Sequence, residues 1–421
     1  MRRGMRDGYV LPKILAQRVE PQLKNMITEE VTESLFYLPV KNFPAAMPEQ
    51  EKQDLTARYA AAISGQVVPS YKKLYDFFVE EYTPACRASS GISAVPGGSE
   101  YYRFLAKQYT STNLTPDEIF ETGMQEVTRI QSEMEAIKER VGFKGTMKEF
   151  LAHVLSNPQS FPYSTAEEVL QGFRAIHEKQ KARVDELFTL QPKTRFEIRQ
   201  TEAFRAASAS AEYQQGTADG TRPGIFYVPI IDPRQFNATG MESLFLHEAI
   251  PGHHFQVSLQ QENTALPDFR KYIWYSAYGE GWALYTESLG EQLGLYTDPY
   301  QKLGNLSAEM HRAVRLVVDV GMHVKGWTRE QAIQFSLEHE AETEADITAE
   351  IERYMAIPGQ ALSYKIGQLK ILELRKKAMA ELGSRFSDAA FHEAMLRNGC
   401  LPLAVLESDF NRWLDQQKQA L

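Results

Sequence analysis

Residues 246–256 read LHEAIPGHHFQ, and three of the chain's nine histidines fall between His247 and His254. A His-Glu pair late in an apolar helix suits hydrolytic zinc chemistry, because the imidazole can bind the metal while the adjacent carboxylate takes a proton from water. In the usual arrangement a second histidine follows one helical turn later, but here that position is Pro251. The candidates are His253 and His254, six and seven residues after His247. On a straight helix at about 100° per residue, seven residues return to within roughly 20° of the starting face, whereas six land about 120° away. Phase therefore favours His254. The axial rise over seven residues, about 10.5 Å, is too large for two imidazoles to share one ion, so the helix must be shortened locally. Pro251 and Gly252 suit such a distortion: proline removes a helix hydrogen bond and glycine tolerates unusual backbone angles. Glu248 is then the candidate general base.

A third ligand is available from KYIWYSAYGEGWALYTESLGEQLGLY. Glu280 lies between Gly279 and Gly281, small residues that would let its backbone approach the first helix. Glu287, seven residues on, shares its helical face and is the candidate to hold a ligand histidine from behind. The neighbouring aromatics Trp274, Tyr275, Tyr278, Trp282 and Tyr285 read as packing residues.

The elements that position these groups are mostly helices. Thr115-Pro116-Asp117-Glu118 joins an N-cap, a first-turn proline and a capping glutamate, and Thr165 with Glu168 and Thr328 with Gln331 repeat the capping pattern. One stretch differs. GIFYVPII, residues 224–231, is β-branched and aromatic and predicts a strand, placed at a sheet edge because Pro229 lacks a ladder donor. The acidic run LEHEAETEADITAEIERY reads as a solvated helix face. The fold class is thus mainly α with a small β element. Around the glycine-rich loop Ser89–Tyr102 the chain is expected to divide into an N-terminal helical portion, 1–100, and a helical catalytic domain, 101–421.

Composition narrows the partners. The 421 residues are 43% hydrophobic and 24% charged, which is globular, and a net charge of -9 gives no field to attract nucleic acid or anionic membrane surfaces. No run approaches the roughly 18 apolar residues of a spanning helix. The cysteines, Cys86 and Cys400, offer no CxxC spacing. GxSxG, GxxxxGK[ST] and GxGxxG are absent, which removes serine-hydrolase, P-loop and dinucleotide chemistries. The basic and then amphipathic N-terminus lacks a signal-peptide core, so the chain as it stands reads as cytoplasmic.

LHEAIPGHHFQ, together with DGTRPGIFYV, AYGEGWALYTE, DVGMHVKGWT and PGQALSYKIGQ, resembles a bacterial family catalogued as a domain of unknown function and placed beside the zinc metallopeptidases. The resemblance runs from about residue 5 to the C-terminus. In wider outline the chain is similar to gluzincin-type helical peptidases, among them the thermostable carboxypeptidase and angiotensin-converting-enzyme groups, though it lacks their HExxH. This resemblance implies a helical fold around a deep cleft, one zinc per chain and a peptide substrate. It further implies an oxyanion donor, assigned to Tyr364, and a cleft-lining strand that pairs with substrate, assigned to GIFYV with Tyr227. His323, Arg353 and Tyr354 are the other candidates for holding substrate. Family members carry a further N-terminal helical region, often behind an export signal. Either this protein is naturally short, or its start is internal to a longer gene and the protein is an exported or lipoprotein form. The expected function is zinc-dependent peptide hydrolysis. The alternatives are a non-catalytic metal-binding or scaffold protein and a zinc amidohydrolase acting on non-peptide amides.

Overall fold

The computed structural model describes residues 1–206 and 209–419. Helices make up 68% of the residues and strands 4%, so the protein is mainly α. The chain divides into Met1–Ser99 and Glu100–Leu421. The first unit is built from helices such as Lys13–Asn25, Glu49–Ala62 and Val68–Phe77, with a small core of Ala16, Phe78 and Tyr82. Both cysteines are free thiols. Among the described residues no helix is long and apolar enough to cross a membrane.

In the second unit α1 (Pro116–Arg140) and α2 (Ala166–Leu187) are each begun by the capping box their sequence predicts. On α1 the buried residues Ile119, Gly123, Val127, Ile130, Met134 and Ile137 recur at helical spacing and form one apolar face. A three-stranded sheet follows, made of β1 (Phe196–Gln200), β2 (Glu212–Gln214) and β3 (Gly224–Val228) in the order β1-β3-β2. β3 pairs in parallel with β1 and antiparallel with β2. GIFYV is therefore the central strand, buried throughout, and not the edge strand expected from Pro229. The proline lies just beyond the last paired residue, Val228, and costs no ladder hydrogen bond.

The helices that carry the site come next: α3 (Met241–Glu248), α4 (His253–Glu262), α5 (Ser276–Glu287), α6 (Pro299–His323), α7 (Glu344–Ala356) and α8 (Ser363–Leu382). The C-terminal half of α6, Ala313–His323, is buried on every side and runs through the core. Its large apolar side chains each contribute roughly 1.5–3 kcal/mol relative to exposure. Helices α5 and α8 touch backbone to backbone. A Cβ on Gly281 would lie 2.4 Å from the Gly367 Cα, and one on Gly367 would lie 1.8 Å from the Ala277 carbonyl oxygen. The glycines beside Glu280 thus serve α8 and, through Gly279, the Trp274 ring, and not the approach to α3 that their spacing suggested.

Candidate metal centre

The His-Glu helix is not bulged but ended. α3 stops at Glu248, Ala249 leaves helical geometry at φ -109, ψ -105, and a new helix starts at His253 after a cis Ile250–Pro251 peptide. Gly252 packs onto the end of α3 so closely that a Cβ would sit 2.0 Å from the His247 carbonyl oxygen. Carbonyls left without helical partners here are taken by side chains: Thr286 Oγ1 donates to Leu246 O (2.9 Å), Gln180 Nε2 to Ile250 O (2.6 Å) and Trp282 Nε1 to Pro251 O (2.8 Å). Two of these donors lie on α5, so the helix carrying Glu280 also holds the break in place.

The break decides which histidine faces His247. Among the described residues, His247, His253 and Glu280 offer ligand atoms that all lie within 4.8 Å of one another. Glu280 Oε2 is 3.4 Å from His253 Nε2 and 3.7 Å from His247 Nε2. The two imidazoles stand perpendicular, with centroids 4.8 Å apart. His254, favoured by phase on a continuous helix, points to the sheet. Its Nδ1 is 3.1 Å from the Tyr213 hydroxyl, its ring is 4.8 Å from that of Phe196, and Gly224 leaves the room for this contact. Burial lowers the His254 pKa to about 3 and keeps the ring neutral.

Behind the cluster, Glu287 Oε1 accepts from His247 Nδ1 at 2.8 Å, and its second oxygen accepts from the Ser243 hydroxyl. With Nδ1–H so engaged, His247 Nε2 is the ring nitrogen turned toward Glu280. Burial disfavours the His247 imidazolium, yet Glu280 and Glu287 outweigh it and raise the pKa to about 9. Burial also opposes ionisation of Glu280, but His253 and His247 hold it far below the usual carboxylate range. His253 Nδ1 is buried without a hydrogen-bond partner. Burial pushes the Glu248 carboxyl up, Glu280 adding to the shift while His253, His247 and Arg312 oppose it.

These groups open into a cavity of about 1040 Å³ in the second unit. Its lining includes His247, Glu248, His253, Glu280, Trp274, Arg312, Arg315, Glu350, Arg353, Tyr364 and the segment 209–215 around β2. Tyr364, half-buried at the start of α8, lies under Arg315, whose Cζ is 4.5 Å from the ring centroid. Burial raises the Tyr364 pKa, with Glu280 adding to the effect, so the phenol stays a donor. The next residue, Lys365, is fully buried and neutralised by Glu309 (2.6 Å) and Glu126 (2.8 Å), which anchors this end of α8 to α6 and α1.

Three expected substrate contacts lie elsewhere. Tyr227 is on the central strand and buried, under the guanidinium of Arg205. His323 is fully buried, its Nε2 3.1 Å from Tyr354 O and its ring 5.1 Å from that of Tyr102. Tyr354 is buried, donating to Glu350 at 2.7 Å and accepting from Arg315 Nε at 2.8 Å. None of the three lines the cavity, whereas Arg353 does. Residues passed over in the sequence do: Arg312 and Arg315 on α6, and Glu350 in the acidic run first read as solvated. Glu350 accepts from Arg315, Arg353 and Tyr354 at once, and Arg353 and His311 hold its carboxyl far below the usual range although burial opposes this. A signal for the arginines was present in HRAVR, where Arg312 and Arg315 fall one turn apart next to His311.

With this geometry in place, the profile of the bacterial protein family of unknown function DUF885 matches residues 1–409. The chain belongs to DUF885. A crystal structure described as a lipoprotein from Colwellia psychrerythraea is similar to it, with a TM-score of 0.92 and 36% identity over 99% of this chain and 72% of that one. A lipoprotein of unknown function from Shewanella oneidensis shares the DUF885 fold at a TM-score of 0.70 and 19% identity, over 94% of this chain and 73% of that one. Among curated proteins none matches the chain.

Proposed function

We propose that the protein is a zinc-dependent peptidase, with His247, His253 and Glu280 as the metal ligands and Glu248 as the general base. The observation that carries this reading is the convergence of the three donor groups at the break after Glu248. Zinc bonds of ~2.0–2.1 Å in a tetrahedron put neighbouring ligand atoms roughly 3.4 Å apart. The distances of 3.4 and 3.7 Å around Glu280 Oε2 suit that figure. The carboxylate behind His247 Nδ1 is the usual partner of a metal-bound imidazole. When bound, zinc supplies Lewis acidity at the substrate carbonyl and makes water a stronger acid.

The chain's own groups do the rest. Glu248, raised in pKa by burial, takes the proton of the attacking water and can pass it to the leaving amine. Tyr364 is the cavity phenol suited to donate to the oxygen that becomes negative. The strand that can pair with an extended peptide is β2, at the sheet edge and in the cavity wall, and not the enclosed GIFYV. The Colwellia relative's description as a lipoprotein supports an exported form of this chain, which cell fractionation would test.

The proposal predicts one zinc per purified chain, bound through nitrogen and oxygen, and hydrolysis of a peptide library that stops with chelator and returns with zinc. Sulfur ligation in X-ray absorption, or full zinc occupancy with no peptide cleaved, would overturn it. The second outcome would favour the scaffold or non-peptide amide alternatives.

A further inference from the structure

The cavity holds more cationic donor capacity than its own residues use. Arg353 is satisfied, giving Nε and Nη2 to Glu350 and Nη1 to Gln360. Arg315, 7% exposed, gives Nε to the Tyr354 hydroxyl and Nη2 to Glu350, but its Nη1 has no acceptor. Arg312, one turn earlier and half-buried, donates from Nη1 to the Ala308 carbonyl, while its buried Nε has no partner. Among the described residues Arg312 makes no ion pair, although the acidic side chains Glu342 and Asp346 are exposed along the same cavity. Glu350 divides one negative charge between Arg315 and Arg353. Buried donors without acceptors are rare in folded proteins and call for an acceptor from outside the chain, such as water, an ion or a ligand. Two neighbouring guanidinium groups present planar forks that match a carboxylate.

We infer that Arg312 and Arg315 seat a carboxylate of the bound substrate within the same cavity as Glu248 and Glu280. The inference rests on the peptidase reading for the identity of the substrate and goes beyond it in assigning the substrate's charge and the residues that select it. Two sources carry this chemistry in a peptide: the C-terminal carboxylate, which would make the enzyme a carboxypeptidase, and an acidic side chain.

The test is calorimetric binding of three hexapeptides to the zinc-loaded Glu248→Gln variant, so that no hydrolysis intervenes. One peptide has a free C-terminus and an internal glutamate, the second is its C-terminal amide, and the third replaces the glutamate by glutamine. Removing the seated carboxylate weakens binding roughly 10- to 100-fold, as expected for a charge-assisted hydrogen-bonded contact. A loss with the amide assigns the terminal carboxylate, and a loss with glutamine assigns the side chain. Arg312→Gln or Arg315→Gln, added to the same background, abolishes the difference, while Arg312→Lys keeps part of it. If Arg315→Gln does not fold, Arg312→Gln, at a half-buried position, still decides the matter. Three equal affinities, or a difference that survives both arginine replacements, would overturn the inference. Zinc content and hydrolysis by the unmodified chain report separately on the peptidase reading. Equal affinities in a hydrolysing enzyme would remove the carboxylate seat alone, and unequal affinities without hydrolysis would remove the peptidase alone.

Discussion

Glu287 Oε1 lies 2.8 Å from His247 Nδ1, with both side chains buried. This contact orients the ring and fixes its tautomer, so that Nε2 is presented beside Glu280. Glu287→Ala should lower zinc affinity roughly 10- to 100-fold without changing the ligand set. Competition with a chelator at fixed pH measures this. Unchanged affinity would mean that Glu287 serves packing alone.

His253 and His254 are adjacent but face different surroundings, and their variants should separate. His253→Ala should lose stoichiometric zinc. His254→Gln should keep one zinc per chain and instead lower stability by about 1–3 kcal/mol, because the buried imidazole's contacts with the Tyr213 hydroxyl and the Phe196 ring are lost. Metal analysis beside thermal unfolding distinguishes the two, and zinc loss in His254→Gln would contradict the assignment.

The contrast between these histidines shows where the sequence was readable. Thr115, Thr165 and Thr328 announced their helices because a capping box is a local pattern, and the residue types of GIFYV announced a strand for the same reason. The shared face of Glu280 and Glu287 was legible because α5 is continuous between them. Helical phase does not carry from His247 to His254 because α3 ends at Glu248, a break stabilised by Gln180, Trp282 and Thr286 from other parts of the chain. Likewise Pro229 suggested an edge strand, but the partner that encloses β3 on that side is the polar segment Glu212–Gln214, which has little strand character of its own. Glu350 looked solvated because Arg315, one of its partners, lies on another helix.

The junction of α5 with α8 tolerates no side chain. Gly281→Ala should destabilise the protein by at least the ~1–3 kcal/mol typical of overpacking, since the added Cβ meets backbone atoms that cannot rotate away. It should also weaken zinc binding, because Glu280 is the preceding residue. A variant with wild-type unfolding temperature and zinc affinity would contradict the close approach.

Asp319 is fully buried, accepts from the Tyr102 hydroxyl at 2.5 Å and from Gly359 N–H at 3.1 Å, and is raised by burial from 3.8 to about 7. A raised acid favours the protonated folded state. Its contribution to stability is fully present below pH 3.8 and is lost as the pH climbs through about 7. Asp319→Asn removes this titration, so the variant should gain on the wild type as pH rises from 5 to 8 in denaturant unfolding. Parallel pH profiles would show that Asp319 does not titrate in this range.

The central claim is that Glu248 moves protons at a metal held by His247, His253 and Glu280. The most direct measurement is peptide hydrolysis by Glu248→Gln and wild type at matched zinc content. The account predicts that the variant retains one zinc per chain while turnover falls by at least ~100-fold, the loss expected when a general base is removed. Loss of the zinc with this isosteric change would put Glu248 among the ligands, and undiminished turnover with zinc retained would take the general base away from it.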